Sequence, residues 1–219
     1  MPRILVTREF AEPLQRLLVA QGCEVVHVPL VELEATHTPA PDSSPDAVVV
    51  TSQAVVRFVP ELRSHIQGSR VIAVGMATAE ALLAHGVVPN DVGRSGGLEA
   101  LAYLQLKEGE RAWYVGAQNP SPKLAAALDE MGIERWPVYQ NTRPAGFEEL
   151  LRGAEFDGIA FTSGSAVRAF VEVRGVPQCP VFALGSSTAE VAEELGVGVT
   201  AIAERASFTK LADVVASGF

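Results

Sequence analysis

The two halves of this chain are copies of one another, and that repeat constrains the fold more than any other feature. Residues 46–59 (DAVVVTSQAVVRFV) parallel residues 157–170 (DGIAFTSGSAVRAF), which sets Thr51-Ser52 over Thr162-Ser163 and Arg57 over Arg168. Residues 71–86 (VIAVGMATAEALLAHG) parallel 181–196 (VFALGSSTAEVAEELG), so that Gly75, Thr78, Ala79, Glu80 and Gly86 fall over Gly185, Thr188, Ala189, Glu190 and Gly196. A weaker match places Leu14, Leu18 and Gly22 over Leu124, Leu128 and Gly132, and Leu101-Ala102 over Leu211-Ala212. The registers agree at a spacing of about 110 residues, the mark of a duplicated structural unit.

Each copy alternates strand and helix patterns. In the first, ILVTR (4–8), EVVHVPLVE (24–32, interrupted by Pro29), AVVVT (47–51) and VIAVG (71–75) are short apolar runs; helices are expected over 10–21, after residue 51, and over 77–85 and 98–106. The second repeats the order with RAWYV (111–115), a helix over 121–131, IERWPVYQ (133–140), GIAFT (158–162), VFALG (181–185) and their helices. Alternation of this kind predicts parallel sheets with helices on both faces.

Loop lengths indicate that the repeat unit is not the domain. Connections inside α/β units usually take about 2–6 residues, yet LEATHTPAPDSSP (33–45) is a long Pro/Ser-rich stretch in the middle of the first copy. QNTRPAG (140–146) carries Pro and Gly at the equivalent place of the second, while the join between copies near Lys107 is short. The expected organisation is therefore crossed. One discontinuous α/β domain combines 1–32 with 144–219, a second over 36–139 is inserted into it, and two connectors run side by side between them.

Composition narrows the function classes. A net charge of −9 argues against a general nucleic-acid or anionic-membrane surface. No apolar run approaches the ~18 residues of a membrane span. Arg3 and Arg8 bracket only ILVT, too short for the apolar region of a signal peptide. Cys23 and Cys179 have no cysteine near them and are expected as free buried thiols in a reducing cytosol. There is no GxGxxG, GxxxxGK[ST] or HExxH, and His27, His37, His65 and His85 lack metal-ligand spacing, so neither cofactor nor metal is expected.

The candidate binding residues lie where parallel sheets bind ligands, beyond the carboxyl ends of the strands. These ends carry Thr7 and Arg8; Thr51, Ser52 and Gln53; Gly75 and Thr78; Gly116; Thr162, Ser163 and Gly164; and Gly185, Ser186, Ser187 and Thr188. Small hydroxyls there cap the following helix, while backbone N–H groups at a helix start attract anions. Facing one another from two domains, such segments would line a cleft with neutral donors suited to a polycarboxylate. No GxSxG elbow or serine–histidine pairing is visible, which leaves plain binding or a reaction needing mainly orientation and proton transfer. Arg57 and Arg168 lie beyond the first helical turn and are expected at the surface.

The order of FTSGSAV (161–167), ALGSSTAEVAEELG (183–196) and PVYQ (137–140), with LVTR (5–8) at the start, resembles the uroporphyrinogen-III synthase family over nearly the whole chain. The first copy departs from it in reading VVVTS where the second has FTS. The resemblance implies two flavodoxin-like α/β domains joined by a two-stranded connector, one inserted into the other. It also implies a cytoplasmic, monomeric, cofactor-free enzyme of tetrapyrrole biosynthesis acting on hydroxymethylbilane, with transient contact to the preceding pathway enzyme as a possible association. In the reaction implied, water leaves ring A, ring D attacks through its substituted carbon, and a spiro intermediate recloses with ring D inverted. The family's tyrosine falls on Tyr139, whose phenol could protonate the departing hydroxyl; the alternative is an amphipathic residue on a connector strand. Arg8 either pairs with a substrate carboxylate or is a solvated charge. The rival readings are a non-catalytic two-lobed module binding a small anion and, more remotely, a flavodoxin-like nucleotide or flavin protein.

Overall fold

The structure is a computed structural model describing residues 1–94 and 96–219. In chain order the first copy forms β1 (Arg3–Arg8), α1 (Glu12–Ala20), β2 (Glu24–Ala35), β3 (Ala47–Val50), α2 (Val55–Phe58), α3 (Leu62–His65), β4 (Arg70–Ala73), α4 (Met76–Ala84), β5 (Asp91–Val92) and α5 (Gly97–Ala102). The second forms β6 (Ala112–Ala117), α6 (Pro122–Glu130), β7 (Glu134–Thr142), α7 (Phe147–Gly153), β8 (Gly158–Phe161), α8 (Gly164–Arg174), β9 (Val181–Ala183), α9 (Ser186–Glu194), β10 (Ala201–Ile202) and α10 (Phe208–Ala216).

The chain divides into two compact units, Met1–Leu33 with Thr142–Phe219, and Glu34–Asn141. In the first, five parallel strands run in the order β10-β9-β8-β1-β2, with Ile4 opposite Gly158 and Arg3 opposite Glu24. In the second the equivalent strands run β5-β4-β3-β6-β7, with Ala47 opposite Ala112 and Trp113 opposite Glu134. The repeat is thus spent on making the same sheet twice, each from pieces of both copies.

Strand alternation puts Ile4 and Val6 on one face of the first sheet and Leu5 on the other. Ile4 and Val6 pack with Leu14, Leu18, Leu211 and Val215 from α1 and α10. Leu5, Ile159 and Phe161 pack with Leu151, Val167, Phe170 and Ala192 from α7, α8 and α9. In the second unit Val49, Ile72 and Tyr114 face Leu101, Leu124 and Leu128. Helical cover on these faces explains why the strands read as continuous apolar runs rather than alternating ones.

Several elements differ from the pattern expected of them. The helix after β3 breaks into α2 and α3 because Pro60 falls where its copy, α8, runs on through Val171. Strands β5 and β10 are two residues long, too short to carry a period, and α7 is an addition to the helices expected from the repeat. The helix expected over 98–106 ends at Ala102, although Leu104 beyond it is fully buried. Cys23 is buried, but Cys179 is half-exposed; both are free.

Strand β2 runs through Pro29 as far as Ala35, and the stretch beyond it is anchored within the second unit. There the Thr36 N–H donates to the Val138 carbonyl at 3.3 Å. Trp136 Nε1 donates to the Thr38 carbonyl at 3.0 Å, and Trp113 Nε1 to Ser43 Oγ, also at 3.0 Å. The two indoles meet edge to face at 5.8 Å. Among the described residues no helix is long and apolar enough to cross a membrane.

Candidate active site

In the first unit β1, β8 and β9 are neighbours, so their carboxyl ends bring together Thr7-Arg8, Thr162–Ser165 and Gly185–Thr188. Ser163 caps α8: its Oγ accepts the Ala166 N–H at 3.3 Å and lies 3.1 Å from Ser165 Oγ. Gly185 caps α9 with extended backbone, leaving Ser186 and Ser187 exposed on the first turn. Thr188 is 4 % exposed, a packing group of that turn. Gly164 is small for a packing reason too, since a Cβ there would lie 2.7 Å from Val191 Cγ2 on α9.

Arg8 has an unusual environment. Its guanidinium lies 4.5 Å from the centroid of the Phe208 ring, and its Nε is buried without a hydrogen-bond partner. Burial pushes its pKa below the ordinary arginine value, opposed by the nearby charge of Glu9. Among the described residues no carboxylate forms a salt bridge with it. The neighbouring Thr7 is fully buried, and its hydroxyl is also unpartnered.

In the second unit β4, β3, β6 and β7 are neighbours, which assembles Gly75–Thr78, Thr51–Gln53, Gly116 and Tyr139. Ser52 Oγ accepts the Ala54 N–H at 3.1 Å, while Gln53 is exposed. Gly75 caps α4 in extended backbone with open space where a side chain would stand, and Thr78 is buried. Where the equivalent turn of the first unit exposes Ser186, this one exposes Met76, at 64 %.

Tyr139 owes its position to a bulge. Gly116 is opposite Pro137, but Ala117 is opposite Tyr139, so one residue of β7 is skipped where Pro137 can donate no ladder hydrogen bond. The shift leaves Val138 and Tyr139 both buried, against the alternation of a regular strand. The Tyr139 ring stacks on Phe58 of α2 at 5.8 Å. Burial pushes its pKa above the ordinary phenol value, and the Ser52 hydroxyl beside it pulls the other way.

A second phenol escaped the sequence reading. Tyr114, 1 % exposed, donates through Oη to the Ala117 carbonyl at 3.3 Å and shares its surroundings with the Thr51 hydroxyl. Its pKa is also raised, first by burial, with the Thr51 hydroxyl opposing. The visible signal was the pair Tyr114 and Gly116, two apart on one face of β6. A Cβ on Gly116 would collide with Thr51 Oγ1 and stand 2.7 Å from Tyr114 Oη, so the glycine makes room for both hydroxyls. Arg57 and Arg168 are exposed on α2 and α8, the latter paired with Glu194 at 3.2 Å.

The family model described as uroporphyrinogen-III synthase HemD matches residues 12–213. A curated relative, uroporphyrinogen-III synthase of Chlorobaculum parvum, is 26% identical over 231 aligned positions that take in 93% of this chain and 94% of the relative. Among solved structures, a mutant uroporphyrinogen III synthase from the extremely thermophilic bacterium Thermus thermophilus aligns over 100% of this chain and 98% of its own with TM-score 0.70 and 21% identity. Uroporphyrinogen-III synthetase from Helicobacter pylori aligns over 99% of both chains with TM-score 0.68 and 18% identity. At these identities the structural matches speak for the fold.

Proposed function

The chain belongs to the uroporphyrinogen-III synthase family, and on that premise we propose how its residues handle hydroxymethylbilane. The reaction is a cyclising dehydration: hydroxymethylbilane becomes uroporphyrinogen III and water, with ring D inverted. The match over 12–213 carries this reading and favours it over a non-catalytic two-lobed anion binder. Residues 1–32 with 144–219, and 36–139, act in this proposal as the two substrate-holding domains of a cytosolic monomer.

The substrate is an open tetrapyrrole with eight carboxylates, so a protein of net charge −9 must attract it locally. Arg8 is the candidate carboxylate partner. Its guanidinium sits on Phe208 with Nε unpartnered, and a carboxylate would relieve the cost of burying that charge. Ser163, Ser186 and Ser187 from the first unit, and Thr51, Ser52 and Gln53 from the second, add neutral donors at helix starts. The backbone at Thr162, Gly75 and Gly185 adds N–H groups at the same turns. Thr7, Thr78, Gly116, Gly164 and Thr188 serve from beneath, by packing the turns that present these donors.

Tyr139 is the proposed general acid. Its phenol gives a proton to the departing ring A hydroxyl, which leaves as water, and the pyrrole nitrogen supplies the electrons that expel it. Ring D attacks the resulting azafulvene through its substituted carbon, and the spiro intermediate fragments and recloses. The proton released as the inverted ring regains aromaticity returns to the phenolate. Burial keeps the phenol protonated at neutral pH but makes it a weak acid, so Tyr139→Phe should slow turnover by about 10², the low end of general-acid assistance.

The test is to supply hydroxymethylbilane to the purified protein and separate the product isomers. Uroporphyrinogen III is expected from the wild type. The unrearranged isomer alone, formed at the spontaneous rate, would refute the reading. Arg8→Gln should raise KM with little change in kcat if the arginine holds a carboxylate equally in ground and transition states.

A further inference from the structure

We propose that Tyr114, too deeply buried to touch substrate, is the positioning residue for Tyr139, acting through the single peptide group that joins Ala117 to Gln118. This rests on the reading of Tyr139 as the acid. The carbonyl end of that peptide accepts the Tyr114 phenol at 3.3 Å. Its N–H end, on Gln118, donates to the Tyr139 carbonyl at 2.7 Å. One planar group therefore links the two tyrosines, and hydrogen bonds in such a chain polarise and strengthen one another.

The link falls at the bulge. Between Gly116 and Ala117 the pairing of β6 with β7 slips by one residue, and a slip of one is what exchanges the faces of a strand. The Gln118 bond fastens Tyr139 in the slipped register, and the Tyr114 hydroxyl holds the peptide that makes it. A phenylalanine at 114 would fill the same space against Leu101, Leu124 and Leu128 without needing a partner or a glycine two residues on. The chain instead carries a buried phenol together with Gly116, whose missing Cβ leaves room for that hydroxyl and for Thr51 Oγ1. Burial of a hydroxyl is costly unless it bonds, and this one, beside the Thr51 hydroxyl, bonds the strand end that carries the proposed acid.

The experiment uses Tyr114→Phe, Tyr139→Phe and the double variant, all in the 219-residue chain. kcat, KM and Gln118 amide hydrogen exchange are measured on each. Tyr114→Phe should lower kcat about three- to tenfold, the worth of one ordinary hydrogen bond, with KM unchanged. It should speed Gln118 exchange by a similar factor and add no further loss to Tyr139→Phe. Unchanged kcat and unchanged Gln118 exchange in Tyr114→Phe overturn the positioning role. So does a loss that multiplies in full with that of Tyr139→Phe, because a residue acting through the acid has nothing to position once its phenol is gone. Full turnover in Tyr139→Phe overturns the acid reading instead, and the Gln118 exchange then still reports whether Tyr114 holds the peptide.

Discussion

Gly116→Ala tests the packing logic of the site without touching a functional group. An added methyl would overlap Thr51 Oγ1 and lie 2.7 and 2.8 Å from Tyr114 Oη and Cζ. The backbone at Gly116 is not in the left-handed region, so strain from φ plays no part. Tyr114 does not yield easily, since it is 1 % exposed and packed in the core with Leu101, Leu124 and Leu128. Overpacking of this kind costs about 1–3 kcal/mol, or a fall in melting temperature of about 2–4 °C per kcal/mol for a chain of this size. Both tryptophans, Trp113 and Trp136, lie in the Glu34–Asn141 unit, so their fluorescence in a urea titration reports that unit alone. Adding Thr51→Ala removes the worst collision and should restore part of the loss, a coupling above the ~0.5 kcal/mol expected of independent sites. Gly153→Ala, where a Cβ meets nothing within 4 Å, should leave stability unchanged or raise it slightly. A Gly116→Ala protein with the wild-type urea midpoint and wild-type turnover would refute the crowding argument and weaken the case that Tyr114 and Thr51 are held in place.

Gly164→Ala should destabilise by a similar ~1–3 kcal/mol through Val191, but in the other unit, so calorimetry should register it while tryptophan fluorescence changes little. Thr7→Val removes a fully buried, unpartnered hydroxyl and should stabilise by about 1 kcal/mol; a urea midpoint below wild type, or a large rise in KM, would mean that the hydroxyl has a partner in the working protein. Because burial raises the Tyr139 phenol, its protonated form and the stability tied to it persist up to the unfolded value near ~10 and are lost only as pH rises through the folded one. The alkaline limb of kcat should lie above that value in wild type and be absent in Tyr139→Phe; a limb unchanged by the substitution would assign it to another group.

The duplication, the alternation of strand and helix, and the two parallel sheets were legible because each rests on patterns ten or more residues long. The 33–45 stretch, long where an α/β unit takes a short loop, was a different kind of signal, and the chain's division between Leu33 and Glu34 falls at its start. Chemistry local to a few atoms was hidden. Nothing in PVYQ announces that Pro137 brings a bulge and that Tyr139 therefore stacks on Phe58, because a register shift is a property of two strands and the periodicity of one does not encode it. Gly116 and Gly164 are candidate binding residues from their place at strand ends. Their neighbours, Tyr114 and Val191, show that each is small for a packing reason. Pro60 was in plain view, but only comparison with the unbroken α8 shows what it does to the helix after β3.

The two units have diverged in a way that fits a division of tasks. With β1 set on β6 by their equivalent pairings to Glu24 and Glu134, Ile4 stands where Tyr114 does, Val6 where Gly116 does, and Arg8 where Gln118 does. All three tyrosines lie in the second unit, while of the nine phenylalanines only Phe58 does. The phenols are thus confined to one unit, and the arginine at a strand end, seated on Phe208, to the other. A symmetrical duplication would offer an elongated polycarboxylate two equal ends and no way to tell them apart. The reaction requires that difference, because water leaves ring A while ring D inverts. The phenol with its glycine in one copy, and the arginine in the other, are the differences by which the proposed mechanism would treat the two ends of the substrate unequally.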